Sequence, residues 1–454
     1  MHFKWKLVAL AGTMLHALTC AHAQQQPAVT SEPLRFSAQD AISYALTHQY
    51  DIRNAKLDEL NQLAVNREVS GLALPQVSAT GLFQHNPIIQ KQLVDISNFD
   101  PSAPKGTTVP IAFGLAYNAL GQVDVNQTLF DPSVLVALQA RKTLEDLARK
   151  GVERSEIEIK ASVYKAYFNV LAADKALGIL DSNRVRLNNM LAETREIYKN
   201  GLVEKLDVDR LVVQVNNLES QLTRLKQVRE TGIAALKFQI GMPVKQPLIL
   251  TDTLGSNALK ADIQEQNAFT YQNRIEYQLL ETQRQANEYN LKRYRLQGLP
   301  SLYLFGQGGA SRATGKFDYF SSQSWYGYVS YGLNLKVPIF TGFQRLRKVD
   351  QAMIAVKQTD IDLEQLRGAI DLEQVNSATT LRNNISTLEN EEENIGLAEE
   401  VWKTTMIKYR EGVGSSVEVI NAETALLMAQ NNYFNALFNV IVARVDYLKA
   451  YGKL

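Results

Sequence analysis

From Phe113 to Leu129 the odd positions read Phe113, Leu115, Tyr117, Ala119, Val123, Val125 and Leu129. From position 118 onward the even ones include Asn118, Gln122, Asp124, Asn126 and Thr128. A second run repeats the pattern, with Trp325, Val329, Tyr331, Leu333, Leu335, Val337 and Ile339 on one side and Ser330, Gly332, Asn334 and Lys336 on the other. Period-two alternation gives a strand one apolar and one polar face. Each run is longer than the roughly 9–11 residues that a tilted membrane strand needs. Together with stretches 76–85 and 301–310, the runs predict two β-hairpins, the first with a long connection rich in Pro, Asn, Asp and Ser. A soluble sandwich would show the same alternation. The aromatics Tyr303, Phe305, Tyr319, Phe320, Trp325, Tyr326 and Tyr328 around the second hairpin point instead to a lipid–water boundary. Val123, Val125, Leu333 and Leu335 are then the candidate lipid-facing side chains.

Elsewhere the period is helical. Ser37 is placed to cap a helix running towards Leu72, with Ala41, Ile42, Ala45 and Leu46 on one face. A counterpart is expected from about Ala261 to Leu296, ending before Pro300. Asp131-Pro132 and Thr341-Gly342 mark further helix starts immediately after the strands. A helix from Pro132 to Lys199 would be roughly 100 Å long at about 1.5 Å per residue. Gly201 breaks it, and the chain returns from Leu206 with Val208, Leu211, Val215, Leu218, Leu222 and Leu225 spaced as a coiled-coil heptad. The equivalent positions downstream are Val419, Ala422, Leu426, Ala429, Tyr433 and Ala436. Each makes a long antiparallel hairpin turning at Gly201 or Gly412.

The order is therefore a duplication. Leu74-Pro75 recurs as Leu299-Pro300, and Tyr198-Lys199-Asn200-Gly201 as Tyr409-Arg410-Glu411-Gly412. We divide the chain into a flexible arm (24–36), a first repeat (37–242), a linker (243–260) and a second repeat (261–454). Before them stands a predicted secretory signal (1–23), with Lys4 and Lys6, an apolar run from Leu7 to Leu18, and a cleavage site at Ala21-His22-Ala23. Thr19 is a poor residue before a lipidated Cys20, so ordinary cleavage is expected.

No apolar run of about 18 residues follows the signal, so any passage through a membrane must be made by strands. Four strands are too few to close a membrane barrel, for which about eight are the minimum. Open edges in lipid would leave backbone groups unsatisfied, so membrane hairpins require several copies sharing one barrel. Charge is nearly balanced, 46 basic against 47 acidic residues once Lys4 and Lys6 are removed, which gives no reason to invoke nucleic acid. Removal of the signal takes away Cys20, the one cysteine, and leaves only His48 and His85 of five histidines. With no Gly-rich phosphate loop either, we expect no enzyme, no metal site and no cofactor. The acidic group Glu389, Glu391, Glu392 and Glu393 reads as a solvated helix face.

Taken together, the repeated Leu-Pro step, the Tyr-x-x-Gly turn and the duplicated plan resemble the TolC-like outer-membrane efflux proteins of Gram-negative bacteria, the outer membrane factors. The likeness runs from Ser37 to the end. It implies a mainly α fold with membrane β-strands, in which a homotrimer forms a twelve-strand β-barrel in outer-membrane lipid and a periplasmic α-barrel. It also implies a passive exit duct of a tripartite efflux or type I secretion system. Such a duct docks onto a periplasmic adaptor (membrane fusion) protein and an inner-membrane RND, ABC or MFS pump. The alternative is a periplasmic coiled-coil adaptor or structural protein.

By the same resemblance, a gate lies at the periplasmic helix tips. Its acidic ring falls on Glu418 and, without an acid, on Asn421. Its latch falls on Asp207 and Tyr409, whose hydroxyl a carboxylate can accept if the tips touch. The cationic latch partner falls on Gly414 and is missing; Lys205 and Arg410 are possible substitutes. The Gly201-Leu202 and Gly412-Val413 turns match the adaptor contacts, with Asn200 and Glu411 where a valine is common.

Overall fold

The computed structural model describes residues 33–99, 102, 104–253, 269–319 and 325–454. The predicted signal, most of the arm, much of the inter-repeat stretch, Ala261 and Phe320 lie outside them. In chain order the first half holds β1 (Leu34–Phe36), α1 (Ala38–His48), α2 (Tyr50–Gly71), β2 (Gln76–His85), β3 (Lys91–Asp95), β4 (Thr108–Ala112) and β5 (Tyr117–Phe130). It continues with α3 (Pro132–Lys199), α4 (Lys205–Gln239) and β6 (Leu248–Leu250). Then come α5 (Ile275–Leu296), β7 (Ser301–Thr314), β8 (Tyr326–Lys336), α6 (Gln344–Arg410) and α7 (Ser416–Ala450). The architecture is mostly helical with a smaller β part. Two compact units divide it, one built from residues 33–49, 162–253 and 393–438, the other from 50–161, 269–392 and 439–454.

In the second unit the main sheet has the order β2-β5-β7-β8, all antiparallel. Register aligns like faces across it. Val77, Val125, Gly306 and Tyr331 stand side by side, as do Ala79, Val123, Gly308 and Val329. The opposite face carries Ser78, Asp124, Gln307 and Ser330 in one row, and Thr80, Gln122, Gly309 and Tyr328 in the next. There the Tyr328 hydroxyl reaches across Gly309 to donate to Gln122 Oε1. Below the sheet, Tyr303 donates to Asp131 Oδ2 at 2.7 Å, tying β7 to the residue before α3. Farther along the unit, buried Arg274 donates to Glu276, to Glu373 and to the Ala450 carbonyl, which fixes the end of α7.

In the first unit, Ser37 and Asp40 form the expected reciprocal cap of α1, and Ala38, Ala41, Ile42 and Ala45 are its buried face. β1 and β6 pair in parallel, with Leu34 opposite Leu248 and Phe36 opposite Leu250. Fully buried Tyr167 donates to the Phe36 carbonyl at 2.9 Å. Leu211, Val215, Leu218 and Leu222 are buried as the heptad requires, and they pack with Leu180, Leu187, Met190 and Leu191 of α3.

Several boundaries differ from the sequence reading. β5 begins at Tyr117 rather than 113, because Gly114 has φ +132° and turns the backbone out of a strand. The apolar Phe113 and Leu115 therefore belong to the connection. That connection also contains a separate hairpin, β3–β4. The helix expected from Ser37 to Leu72 breaks at Gln49, whose ψ is 139°. The tight turn at Gly241 (φ +75°) lies there, so close that a Cβ on it would stand 2.5 Å from the His48 carbonyl oxygen. α6 starts at Gln344, since Gly342 and Phe343 both have positive φ. Residues 34–36, read as flexible arm, and 248–250, read as linker, are paired strands.

Candidate functional site

The apolar face of the sheet is uncovered. Val123 is 47% exposed, Val125 38%, and Leu333 and Leu335 63% each. The neighbouring Val77, Phe83, Leu304, Val329 and Tyr331 are exposed as well. A contiguous apolar surface of this kind marks contact with lipid or with protein. β2 and β8 are the outer strands, and each keeps one edge unpaired among the described residues. At one end of the sheet His85, Tyr117, Phe317, Tyr319 and Phe83 make ring contacts with one another, an aromatic cluster suited to a lipid–water boundary. No described helix is long and apolar enough to cross a membrane.

The two helical turns share one geometry. Gly201 has φ +76° and Gly412 φ +73°, the left-handed position after a helix that glycine occupies without steric cost. In the first turn Gly201 N–H bonds the Tyr198 carbonyl and Leu202 N–H the Ile197 carbonyl. In the second, Gly412 N–H bonds Tyr409 and Val413 N–H bonds Lys408. Both are Schellman caps, so the Tyr-x-x-Gly spacing is the spacing of a helix end. Each presents an aliphatic residue outward, Leu202 at 76% exposure and Val413 at 78%.

Beside the turns the chain makes polar ties from α3 and α4 to α6 and α7. The Asp207 carboxylate accepts from the hydroxyl of buried Ser416 and, at 3.4 Å, from Glu204 N–H. It thus sits at the N-termini of both α4 and α7, where the helix dipoles favour negative charge. Tyr409 does not bond Asp207 within the chain; its hydroxyl lies 3.3 Å from that of fully buried Thr194. Arg410 pairs with Glu193 at 3.1 Å. A Cβ at Gly414 would come within 3.1 Å of Tyr409 N and of Lys408 Cβ, so a larger residue there would need these neighbours to give by a few tenths of an ångström. Glu418 and Asn421 are exposed, one turn apart on α7. Glu418 also donates its N–H to Ser415 Oγ at 3.3 Å, an ordinary helix-start contact.

Three residues escaped the sequence reading. Ser416, Glu423 and Gln430 recur every seven residues along α7, and all three are buried. Glu423 pairs with Arg186 at 3.0 Å, and Asn183 donates to Gln430 Oε1 at 2.7 Å. The available signal was a polar side chain at heptad spacing inside an apolar helix. Among the described residues no group of three or more His, Cys, Asp or Glu side chains could hold a metal ion.

Residues 270–453 match the family model described as "Outer membrane efflux protein". The chain is 24% identical over 367 residues to the outer membrane protein TolC of Escherichia coli K12, covering 76% of this chain and 71% of that one. It is 20% identical over 342 residues to the proteases secretion protein PrtF of Dickeya chrysanthemi, covering 74% and 72%. Its fold is similar to that of the CusC transmembrane channel, with a TM-score of 0.74 at 17% identity over 91% of this chain and 92% of that one. The molecule is thus an outer-membrane exit duct for efflux or secretion, a passive channel and not an enzyme, extending into the periplasm. Specifically, the chain is similar to the TolC-like outer-membrane efflux proteins.

Proposed function

We propose that three copies close one twelve-strand barrel in the outer membrane and continue it as an α-barrel across the periplasm. The observation that carries this reading is the four-stranded sheet with an exposed apolar face and two edges unpaired among the described residues. Such a sheet is stable in lipid only if neighbouring copies pair with both edges. α6 adds support, since Ile354, Ile361, Leu372, Val375, Leu397 and Val401 stand exposed along it and need an apolar cover. Residues 1–23 serve as the cleaved secretory signal. The duplicated halves, 37–242 and 261–454 with 243–260 between them, each supply one β-hairpin and one helical hairpin.

In this assembly Val123, Val125, Leu333 and Leu335 face lipid. Glu418 of each copy, with Asn421 one turn on, rings the periplasmic mouth and favours cations, as carboxylate rings do. Asp207 and Tyr409 belong to the closing contacts at the tips, Asp207 through Ser416. The exposed turns at Gly201-Leu202 and Gly412-Val413 receive a periplasmic adaptor, and the energy comes from an inner-membrane pump of RND, ABC or MFS type. Single-channel recording of the detergent-solubilised protein in a planar bilayer, wild type beside Glu418→Ala, tests this. Discrete cation-selective steps are expected, with selectivity weakened in the variant. Folded protein that never inserts would remove the duct; steps unaltered by the substitution would remove Glu418 from the mouth.

A further inference from the structure

Charge is shared unevenly between the two repeats. From residue 71 to 142 the first carries four lysines and arginines against four aspartates. From 289 to 349 the second carries nine against Asp318 alone. Three of the nine converge on one cavity of about 280 Å³ below the sheet: Lys336 at the end of β8, and Arg345 and Lys348 at the start of α6. Ser301 and Tyr303 of β7 line it too, and Asp131 is its one carboxylate among the described residues. Asp131 is already engaged, accepting from the Tyr303 hydroxyl at 2.7 Å and from Ser133 N–H at 2.8 Å. None of the three cations forms an ion pair among the described residues, whereas Arg347, beside Lys348 in the chain, pairs with Asp350 at 3.0 Å.

The arrangement works against the fold. A helix dipole disfavours cations at its N-terminus, and like charges about one turn apart repel. The turn leading into α6 is strained as well, because Phe343 has φ +64°, the one positive value outside glycine among the described residues. Gly298 completes the seat: a Cβ there would collide with Arg345 Nη1, although the backbone angle at Gly298 would suit any residue. An anion in the cavity would reverse the sign of these costs, meeting three cations and the N–H groups of the helix start through charge-assisted hydrogen bonds. Register settles which side the cavity serves. Ser301 and Tyr303 alternate with Leu302 and Leu304, and Ser301 pairs with Lys336, so the cavity shares the polar face with Gln307 and Ser330, opposite Leu333 and Leu335. In a closed barrel that is the inner face.

We propose that this cavity is an oxyanion-binding site on the inner wall of the duct, where Lys336, Arg345 and Lys348 take a phosphate or carboxylate group of a dissolved solute. Its place on the inner wall rests on the reading of the sheet as part of a closed barrel. Each copy in the assembly brings its own site, which makes a basic collar in a duct whose mouth is acidic. Gly298 is a positioning residue, since it leaves the room in which the Arg345 guanidinium lies.

Isothermal titration of the detergent-solubilised full chain with inorganic phosphate tests the site, read beside the thermal midpoint of each protein. Wild type is expected to bind and to melt higher with phosphate. Arg345→Gln, Lys348→Gln and Lys336→Gln should each weaken binding about tenfold, as the loss of one charge-assisted contact does. Gly298→Ala, which keeps every charge and displaces the guanidinium, weakens it too. Arg347→Gln removes an equal charge beside the cavity and leaves binding unchanged. In planar bilayers the triple variant Lys336→Gln, Arg345→Gln, Lys348→Gln should raise the ratio of cation to anion permeability, the opposite of Glu418→Ala. Folded wild type that neither binds phosphate nor melts higher with it overturns the proposal while leaving the duct in place. So does equal weakening by Arg347→Gln, which would trace binding to the general field. A permeability ratio unchanged in the triple variant would take the cations off the inner wall, and overturns it as well. Phospholipid that copurifies with wild type and not with the triple variant, without phosphate binding, would make the ligand a lipid and overturn it. Should the triple variant fail to fold, the titrations of Arg345→Gln and Arg347→Gln decide. Absence of any steps from folded wild-type protein would instead sink the duct reading, and with it the placement on an inner wall.

Discussion

The returning helices of the two hairpins occupy equivalent places in the duplication and are packed with different materials. α4 presents Leu211, Val215, Leu218 and Leu222, all buried. At the matching heptad positions α7 presents Ala422, Leu426, Ala429 and Tyr433, and the last two are only half-buried. On a neighbouring face α7 carries the polar series Ser416, Glu423 and Gln430, for which α4 has no buried equivalent. Duplication supplied two copies of one hairpin, and divergence gave the first a heptad of leucine and valine and the second smaller residues beside a buried polar series.

The contrast can be broken most strongly at Leu218. Leu218→Ala, which gives the first hairpin the residue of the second, is expected to cost about 2–5 kcal/mol. A urea unfolding midpoint would show it, and a loss no larger than that of Ala429→Gly would erase the contrast. Next comes Ser416→Ala, which deletes a hydrogen bond to a carboxylate and should cost about 1.5–3 kcal/mol. The same change at Ser220, exposed on α4 and bonded only to the Asn216 carbonyl in its own helix, should be close to silent. Gly201→Ala and Gly412→Ala should each cost about 1–2 kcal/mol by forcing a Cβ into the left-handed region. Similar losses at both would place the asymmetry in the coils and not in their turns. Smallest in stability is Glu418→Ala, at an exposed side chain: the melting curve should not move, while the ratio of cation to anion permeability falls.

What could be read from the chain follows the range of the forces involved. Leu211 to Leu222 was legible because a heptad is a local repeat, and the turns at Gly201 and Gly412 because a Schellman cap spans only six residues. The shared, exposed apolar face of Val123, Val125, Leu333 and Leu335 was legible because alternation is a nearest-neighbour property. The same alternation misled at Phe113 and Leu115, where one glycine backbone angle overrode it. The break at Gln49 left no trace in its own residues, since what meets it there is Gly241, far off in sequence. Pairing of β1 with β6 joins three-residue strands too short to carry a pattern. The pairing of Arg186 with Glu423 was hidden for the strongest reason, because the two are 237 residues apart and each alone resembles a surface charge. The latch predicted between Asp207 and Tyr409 names two residues that do lie in tip contacts, each with another partner.

The sheet ending in two bare strands, β2 and β8, has a consequence for inheritance. A barrel closed by a single chain fails or succeeds chain by chain. In the shared barrel proposed above, closure is a joint act, and one subunit with a spoiled edge would interrupt the ring for its sound neighbours. A defect in β2 or β8 should therefore be dominant when expressed with the normal gene, whereas a defect that merely unfolds the chain before assembly should be recessive.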